Sequence, residues 1–132
     1  MEPTMYLDTH TVAWLYEGKL KKFPKNLCLI MAKSELLISP MVVLELTYLH
    51  EIKRVQEPSD KVIDTLNKTI GLKICDLPYS QVIAEAVQQT WTRDPFDRII
   101  VGQAAITQSI LVTKDENILK NYAHAIWKEK PA

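Results

Sequence analysis

Short apolar runs alternate along this chain with longer stretches in which apolar positions recur every three or four residues. The first pattern marks strands and the second amphipathic helices. Strands are predicted at Met5–Leu7, Leu36–Ser39, Leu72–Cys75 and Ile110–Thr113, with a fifth at His124–Trp127. Helices are predicted between them, over about Thr9–Glu17, Leu27–Lys33, Met41–Arg54, Asp60–Ile70, Ser80–Trp91, Pro95–Gln108 and Glu116–Asn121. Alternation of strand and helix implies the α/β class, in a three-layer α/β/α arrangement around a mainly parallel sheet of four or five strands. With only three glycines, no low-complexity run and no internal repeat, residues 1–132 are expected to form a single domain. Sheets of this kind carry their sites at the carboxyl ends of strands, near the point where the strand order reverses.

Four carboxylates fall where such a site would lie. Asp8 follows Met5-Tyr6-Leu7, at the carboxyl end of the first strand, and Asp115 follows the fourth strand after Thr113-Lys114. Each also has a plain structural explanation, because aspartate terminates strands and caps helices. Glu45 sits in Met41-Val42-Val43-Leu44-Glu45-Leu46-Thr47-Tyr48-Leu49, where helical spacing groups it with Val42, Leu46 and Leu49. A carboxylate in an apolar stripe is destabilising unless paired, hydrogen-bonded or bound to a cation; a partner such as Lys53 or a rim position would also answer that need. The most informative segment runs from Arg93 to Ala104. Asp94 then Pro95 starts a helix with a side-chain cap and a proline at the first position. Asp97, three residues on, shares a face with Ile100, Val101 and Ala104 and so points inward at the helix N-terminus. A carboxylate that merely complements the helix dipole is the alternative, and it suits Asp94 better than Asp97.

Four acids on one edge of a sheet repel one another. A hard divalent cation with oxygen ligands, Mg²⁺ or Mn²⁺, resolves that repulsion. Such an ion holds phosphate oxygens, activates a water and neutralises charge building up at phosphorus. The charge balance bears on the same point. Sixteen basic and 16 acidic residues leave no formal net charge, whereas proteins that hold nucleic acid by bulk electrostatics are much more basic. A neutral protein that handles RNA must attract it locally or through bound cations.

Hydrophobic residues at 47% and charged residues at 24% fit a soluble globular chain. No segment approaches the roughly 18–20 uninterrupted apolar residues of a membrane span, and Met1 to Asp8 has no signal-peptide pattern. A cytoplasmic protein without a membrane partner is therefore expected. Cys28 and Cys75, each in apolar company, are expected to be buried thiols rather than a disulfide or metal site.

Taken in order, these segments resemble the PIN-domain family, in particular the toxin half of bacterial VapBC-type toxin–antitoxin pairs. The resemblance runs from Tyr6 to Trp127. It rests on Leu7-Asp8-Thr9-His10-Thr11-Val12-Ala13-Trp14-Leu15, Ser39-Pro40 with the helix bearing Glu45, Asp94-Pro95-Phe96-Asp97-Arg98-Ile99-Ile100, Leu111-Val112-Thr113-Lys114-Asp115 and Ile126-Trp127. It implies a metal-dependent endoribonuclease, the toxin of a type II toxin–antitoxin system. Its acids fall on Asp8, Glu45, Asp97 and Asp115, with Thr113 beside the metal. It also implies a homodimer, and a cognate antitoxin whose tail fills the acidic groove. The chain departs from the pattern at Thr92, where relatives often carry His, at Gly102, where a small residue such as Ala is common, and at Leu44, where Trp or a small polar residue often precedes the glutamate. No departure removes an acid.

Other residues invite chemistry less. His10 is read as a helix-start residue near the site, because a carboxylate–metal centre activates water without it. Lys19, Lys21, Lys22 and Lys25 are read as a solvated loop, with a phosphate-contacting edge as the alternative. Trp14, Trp91 and Trp127 are read as core or interface. Among other functions, a receiver-type signalling domain needs paired acids after its first strand and a lysine ending its last, and Asp8 stands alone while Lys114 precedes another acid. A dehalogenase-like phosphatase needs an aspartate where His10 stands. A PIN-fold module that binds without efficient cleavage keeps the same acids and is separated only by assay.

Overall fold

A computed structural model describes Pro3 to Lys128. Within it, β1 (Thr4–Leu7), β2 (Glu35–Ile38), β3 (Lys73–Ile74), β4 (Ile110–Val112) and β5 (Ala125–Ile126) form one sheet in the order β3-β2-β1-β4-β5. Every pairing is parallel. The chain passes from β1 outward to β2 and β3, then returns across the sheet to β4 and β5. The order therefore reverses between β1 and β4, and a crevice opens at their carboxyl ends. Met5, Tyr6 and Leu7 of β1 are buried, as a central strand covered on both faces requires. Both residues of the edge strand β3 are exposed.

Helices cover both faces of the sheet in a three-layer α/β/α architecture. They are α1 (Thr9–Tyr16), α2 (Lys25–Ala32), α3 (Pro40–Glu51), α4 (Ser59–Ile70), α5 (Tyr79–Val87), α6 (Pro95–Ile106) and α7 (Glu116–Asn121), with a 3₁₀ turn at Leu20–Lys22. The starts follow side-chain chemistry. Ser39 caps α3, its hydroxyl accepting from the Met41 N–H at 3.1 Å, and Pro40 follows at the first position. Asp94 and Pro95 do the same for α6. Gly71, at φ 72°, closes α4 in the left-handed conformation that favours glycine.

Several boundaries differ from expectation. α3 ends at Glu51 rather than Arg54, and Lys53 lies in left-handed backbone at φ 64°. α5 ends at Val87 rather than Trp91, because the Arg98 guanidinium takes the carbonyls of Ala86 and Val87 at 3.1 Å each. Those are terminal carbonyls that a continuing helix would have used itself. α2 begins at Lys25, directly after Pro24.

Gly102 is where α5 and α6 meet. A Cβ there would lie 2.8 Å from the Ala86 nitrogen and 3.1 Å from the Val82 oxygen, both backbone atoms of α5. Glycine at this departure from the family pattern thus reflects a close helix crossing. Both cysteines are free, but only Cys75 is fully buried, Cys28 being half-buried because its helix lies at the surface. Trp127 is buried and packs against Phe23 at 4.9 Å, with Trp14 edge-on to both, so the tryptophans at either end of the chain share one cluster.

Candidate active site

At the end of β1 the backbone N–H of Asp8 donates to the Val112 carbonyl at 3.2 Å, which carries the β1–β4 pairing one residue beyond the strands. This sets Asp8 beside Thr113, the first residue after β4. Asp8 caps α1, one carboxyl oxygen accepting from the Thr11 N–H at 3.0 Å. Its other oxygen accepts a short hydrogen bond from the buried Thr113 hydroxyl. The same hydroxyl oxygen accepts from the Asp115 N–H at 3.0 Å, and Asp115 in turn caps α7 through the Ile118 N–H at 2.9 Å. Capping and site placement are therefore one arrangement for these two aspartates. Thr113 is the bridge between the strand ends, its side chain wholly enclosed.

Glu45 comes from α3, whose Val42, Leu46 and Leu49 are buried against the core. Its carboxylate accepts a short hydrogen bond from the Thr9 hydroxyl at the start of α1. Thr9, and not Lys53, is thus its partner. Asp97 lies in the first turn of α6, its N–H donating to the Asp94 cap at 3.3 Å. Among the described residues its own carboxylate receives no hydrogen bond. Asp8, Glu45, Asp97 and Asp115 all line one cleft of about 390 Å³. Thr9, His10, Trp14, Asp94, Ile100 and Lys114 complete its walls.

The electrostatics reflect that crowding. Asp97 is pushed up from 3.8 to about 7, first by burial and then by the charges of Asp94, Asp115, Glu45 and Asp8. Burial also raises Asp8, with the bonds from Thr11 and Thr113 opposing the shift. Glu45 is raised by burial, opposed by Thr9 and by His10, and pushed further by Asp94 and Asp8. The cleft therefore concentrates negative charge that its own hydrogen bonds only partly satisfy.

As placed, no three acidic, histidine or cysteine side chains among the described residues close around one point in the manner of a finished metal site. The donor chemistry nevertheless fits a hard divalent cation: carboxylate oxygens in a shared cleft, with one carboxylate lacking any hydrogen bond.

Several contributors were not legible in the residue pattern. Thr9 reaches Glu45 across 36 positions, and Thr113, which the resemblance sets beside the site, is held there by a bond to Asp8 across 105. Thr9 stands next to Asp8 in sequence, but adjacency carries no sign of a bond to α3. Asp94, read as a cap, both caps α6 and lines the cleft. Trp14, read as core or interface, is half-buried and lines the cleft too. Lys22 is exposed as expected, but it lies in the 3₁₀ turn rather than in a loop, and its ammonium lies over the Trp14 ring.

A parallel sheet with carboxylates gathered at its switch point defines a site suited to phosphodiester chemistry. Residues 5–125 match the family model of the PIN domain, and the chain belongs to that family. Among solved structures, it is similar to VapBC2 from Rickettsia felis bound to a DNA fragment from its promoter, with TM-score 0.64, 21% identity, 93% of this chain and 96% of that chain covered. It is also similar to DNA-bound VapBC from Salmonella typhimurium, with TM-score 0.58, 20% identity and 95% and 96% of the two chains covered. A toxin–antitoxin complex from Klebsiella pneumoniae aligns with TM-score 0.58 at 14% identity, covering 92% of this chain and 95% of that one. No curated protein sequence matches the chain significantly.

Proposed function

We propose that residues 1–132 act as a single PIN domain, a divalent-metal-dependent endoribonuclease that serves as the toxin of a type II toxin–antitoxin pair. The observation that carries this reading is the set of four carboxylates, two capping α1 and α7 and two within α3 and α6, on one cleft at the β1–β4 switch point. Family membership supports nuclease chemistry, and the likeness to toxin–antitoxin complexes supports the toxin role.

Asp8, Glu45, Asp97 and Asp115 would hold Mg²⁺ or Mn²⁺, which when bound supplies an activated water and neutralises charge at phosphorus. Thr113 keeps the Asp8 carboxylate facing the cleft while fixing the start of α7. Thr9 restrains Glu45 against the mouth of α1. Because Asp97 is shifted to about 7, its ionised, metal-binding form is favoured as pH rises above neutrality.

The antitoxin reading follows from charge and shape. An arginine fork fits a carboxylate cleft bidentately. An apolar groove of about 350 Å³, bordered by Leu15, Leu20, Met31, Leu36 and Ile70, offers the hydrophobic contact that one ion pair lacks. Adjacent residues of α1, Trp14 and Leu15, border the acidic cleft and this groove respectively. Exposed Leu44 and Tyr48 on α3 and Tyr79 on α5 support a homodimer formed by helical faces, which light scattering of the purified protein tests. Among the described residues no helix is long and apolar enough to cross a membrane, and a cytoplasmic location is part of the same proposal.

The test is RNA cleavage with Mg²⁺ or Mn²⁺, abolished by EDTA. Asp97→Asn should lower activity by orders of magnitude, and Asp94→Asn much less, because asparagine also caps helices well. Equal losses at the two positions would refute the assignment of Asp97. Absence of cleavage by the wild type with either ion would leave a binding module.

A further inference from the structure

A second set of side chains, opposite in character to the carboxylates, borders the same cleft. His10, Trp14 and Lys114 all line it. The Lys114 ammonium lies 5.9 Å from the Trp14 ring centroid, and the Lys22 ammonium lies 5.0 Å from it. The ring is not free to swing, because it packs edge-on to Trp127 at 5.8 Å and Phe23 at 6.4 Å. Two exposed lysines thus meet at one anchored, half-buried indole on the cleft's edge.

What sets these two lysines apart is the shared ring, since most lysines among the described residues form no ion pair. Among the described residues the lysines in ion pairs are Lys19, Lys61 and Lys68, with Glu17, Glu57 and Asp64. Lys114 precedes Asp115 in sequence and shares the cleft with five carboxylates, yet its ammonium rests over the indole. Two like charges at one ring repel, and a bound anion would relieve them.

We infer that Lys22 and Lys114, gathered at the Trp14 ring, form an anion-binding rim that holds the phosphodiester backbone of a single RNA strand as it enters the acidic cleft. The inference rests on the nuclease reading above. A chain of zero net charge with an acidic cleft cannot draw RNA by bulk attraction. Cations that the carboxylates would hold could serve only the phosphate inside the cleft, while phosphates to either side need positive charge at the mouth. Lysine suits that task, being a point charge with little directional demand. An acidic peptide is the other anionic occupant, but the neighbouring carboxylates would repel it, whereas a phosphate can share their metal.

The experiment compares wild type with K22Q/K114Q, K22R/K114R and K61Q, the last a lysine of α4 paired with Glu57. Lys22 and Lys114 are exposed, so folding is not at stake, and thermal melts verify it. The glutamine pair should raise KM several-fold, more than it lowers kcat. It should also flatten the dependence of log kcat/KM on log salt by about 0.7 per lost contact, the single-strand value. The arginine pair should restore both and K61Q should change neither. Binding of a fluorescein-labelled single-stranded oligouridylate, followed by anisotropy, provides a readout that needs no turnover. Unchanged salt dependence and unchanged oligouridylate binding in K22Q/K114Q would overturn the rim, as would an equal effect from K61Q. Tighter binding of a labelled oligoglutamate, lost in the glutamine pair, would assign the rim to an acidic protein segment and also overturn it. Failure of the wild type to cleave any RNA counts against the nuclease reading alone, since the binding assay still decides the rim.

Discussion

Asp97→Asn should stabilise the metal-free protein, although it removes a group from the site. The Asp97 carboxyl is shifted from 3.8 to about 7 by burial and by four neighbouring acids. Between those values the folded protein holds a proton that the unfolded chain has released. Stability therefore falls as pH rises through that window, and the full cost is present above about pH 7. Three units correspond to a ceiling of about 4 kcal/mol. Because the side chain is only half-buried, solvent screening and relaxation should leave about 1–2 kcal/mol. Asparagine keeps the shape and cannot ionise, so at about pH 8 in EDTA the variant should melt higher by about 4–8 °C, taking roughly 4 °C per kcal/mol for a domain of this size. The gap should close as pH falls towards about 4. Adding Mg²⁺ should reverse the order, because the ion binds the folded wild type and stabilises it by mass action. The assay is thermal unfolding followed by circular dichroism at several pH values, with EDTA or Mg²⁺. A variant that melts below wild type at about pH 8 in EDTA would refute the reasoning and make Asp97 a structural helix-end carboxylate.

Gly102→Ala should destabilise by about 1–2 kcal/mol, read from the denaturant midpoint, because the new Cβ would press on α5 backbone at 2.8 Å and overpacking outweighs the helix-propensity gain. Thr113→Val, which removes the hydroxyl bridging Asp8 and Asp115, should lower nuclease activity by about 10–100-fold, while Thr113→Ser retains most of it. In Thr113→Val the activity profile should also move to higher pH, since the lost bond is one that opposes the upward shift of Asp8. An arginine-bearing antitoxin peptide should compete with Mg²⁺ and weaken as salt rises; calorimetric affinities that ignore both salt and Asp97→Asn would exclude insertion into the cleft.

Much of this molecule was already legible in local pattern. Apolar runs at Met5–Leu7 and Ile110–Val112 specify strands, and Asp94-Pro95 specifies the start of α6. These are short-range effects: backbone sterics, a side-chain cap, and the burial of one face. Asp97 could be separated from Asp94 for the same reason, since three residues within one helical turn settle which carboxylate caps and which points inward. The family pattern supplied the order of the acids along the chain.

The rest depended on contacts between distant positions. Thr113 meets Asp8 because β1 and β4 are neighbours in the sheet although more than a hundred residues separate them. Glu45 takes Thr9 rather than Lys53 because α3 packs against α1 and presents that face to the start of α1, while Lys53 sits in a left-handed turn beyond the end of α3. α5 stops at Val87 because Arg98, on another helix, takes its last carbonyls. The upward shift of Asp97 likewise exists only once folding has gathered Glu45 of α3 and the caps of α1, α6 and α7 into one cleft. Local sequence chooses the conformation of each segment because the relevant energies act within a turn or a strand. The chemistry of the cleft arises between segments, where the distance that governs Coulomb and hydrogen-bond energy is set by the packing of the whole chain.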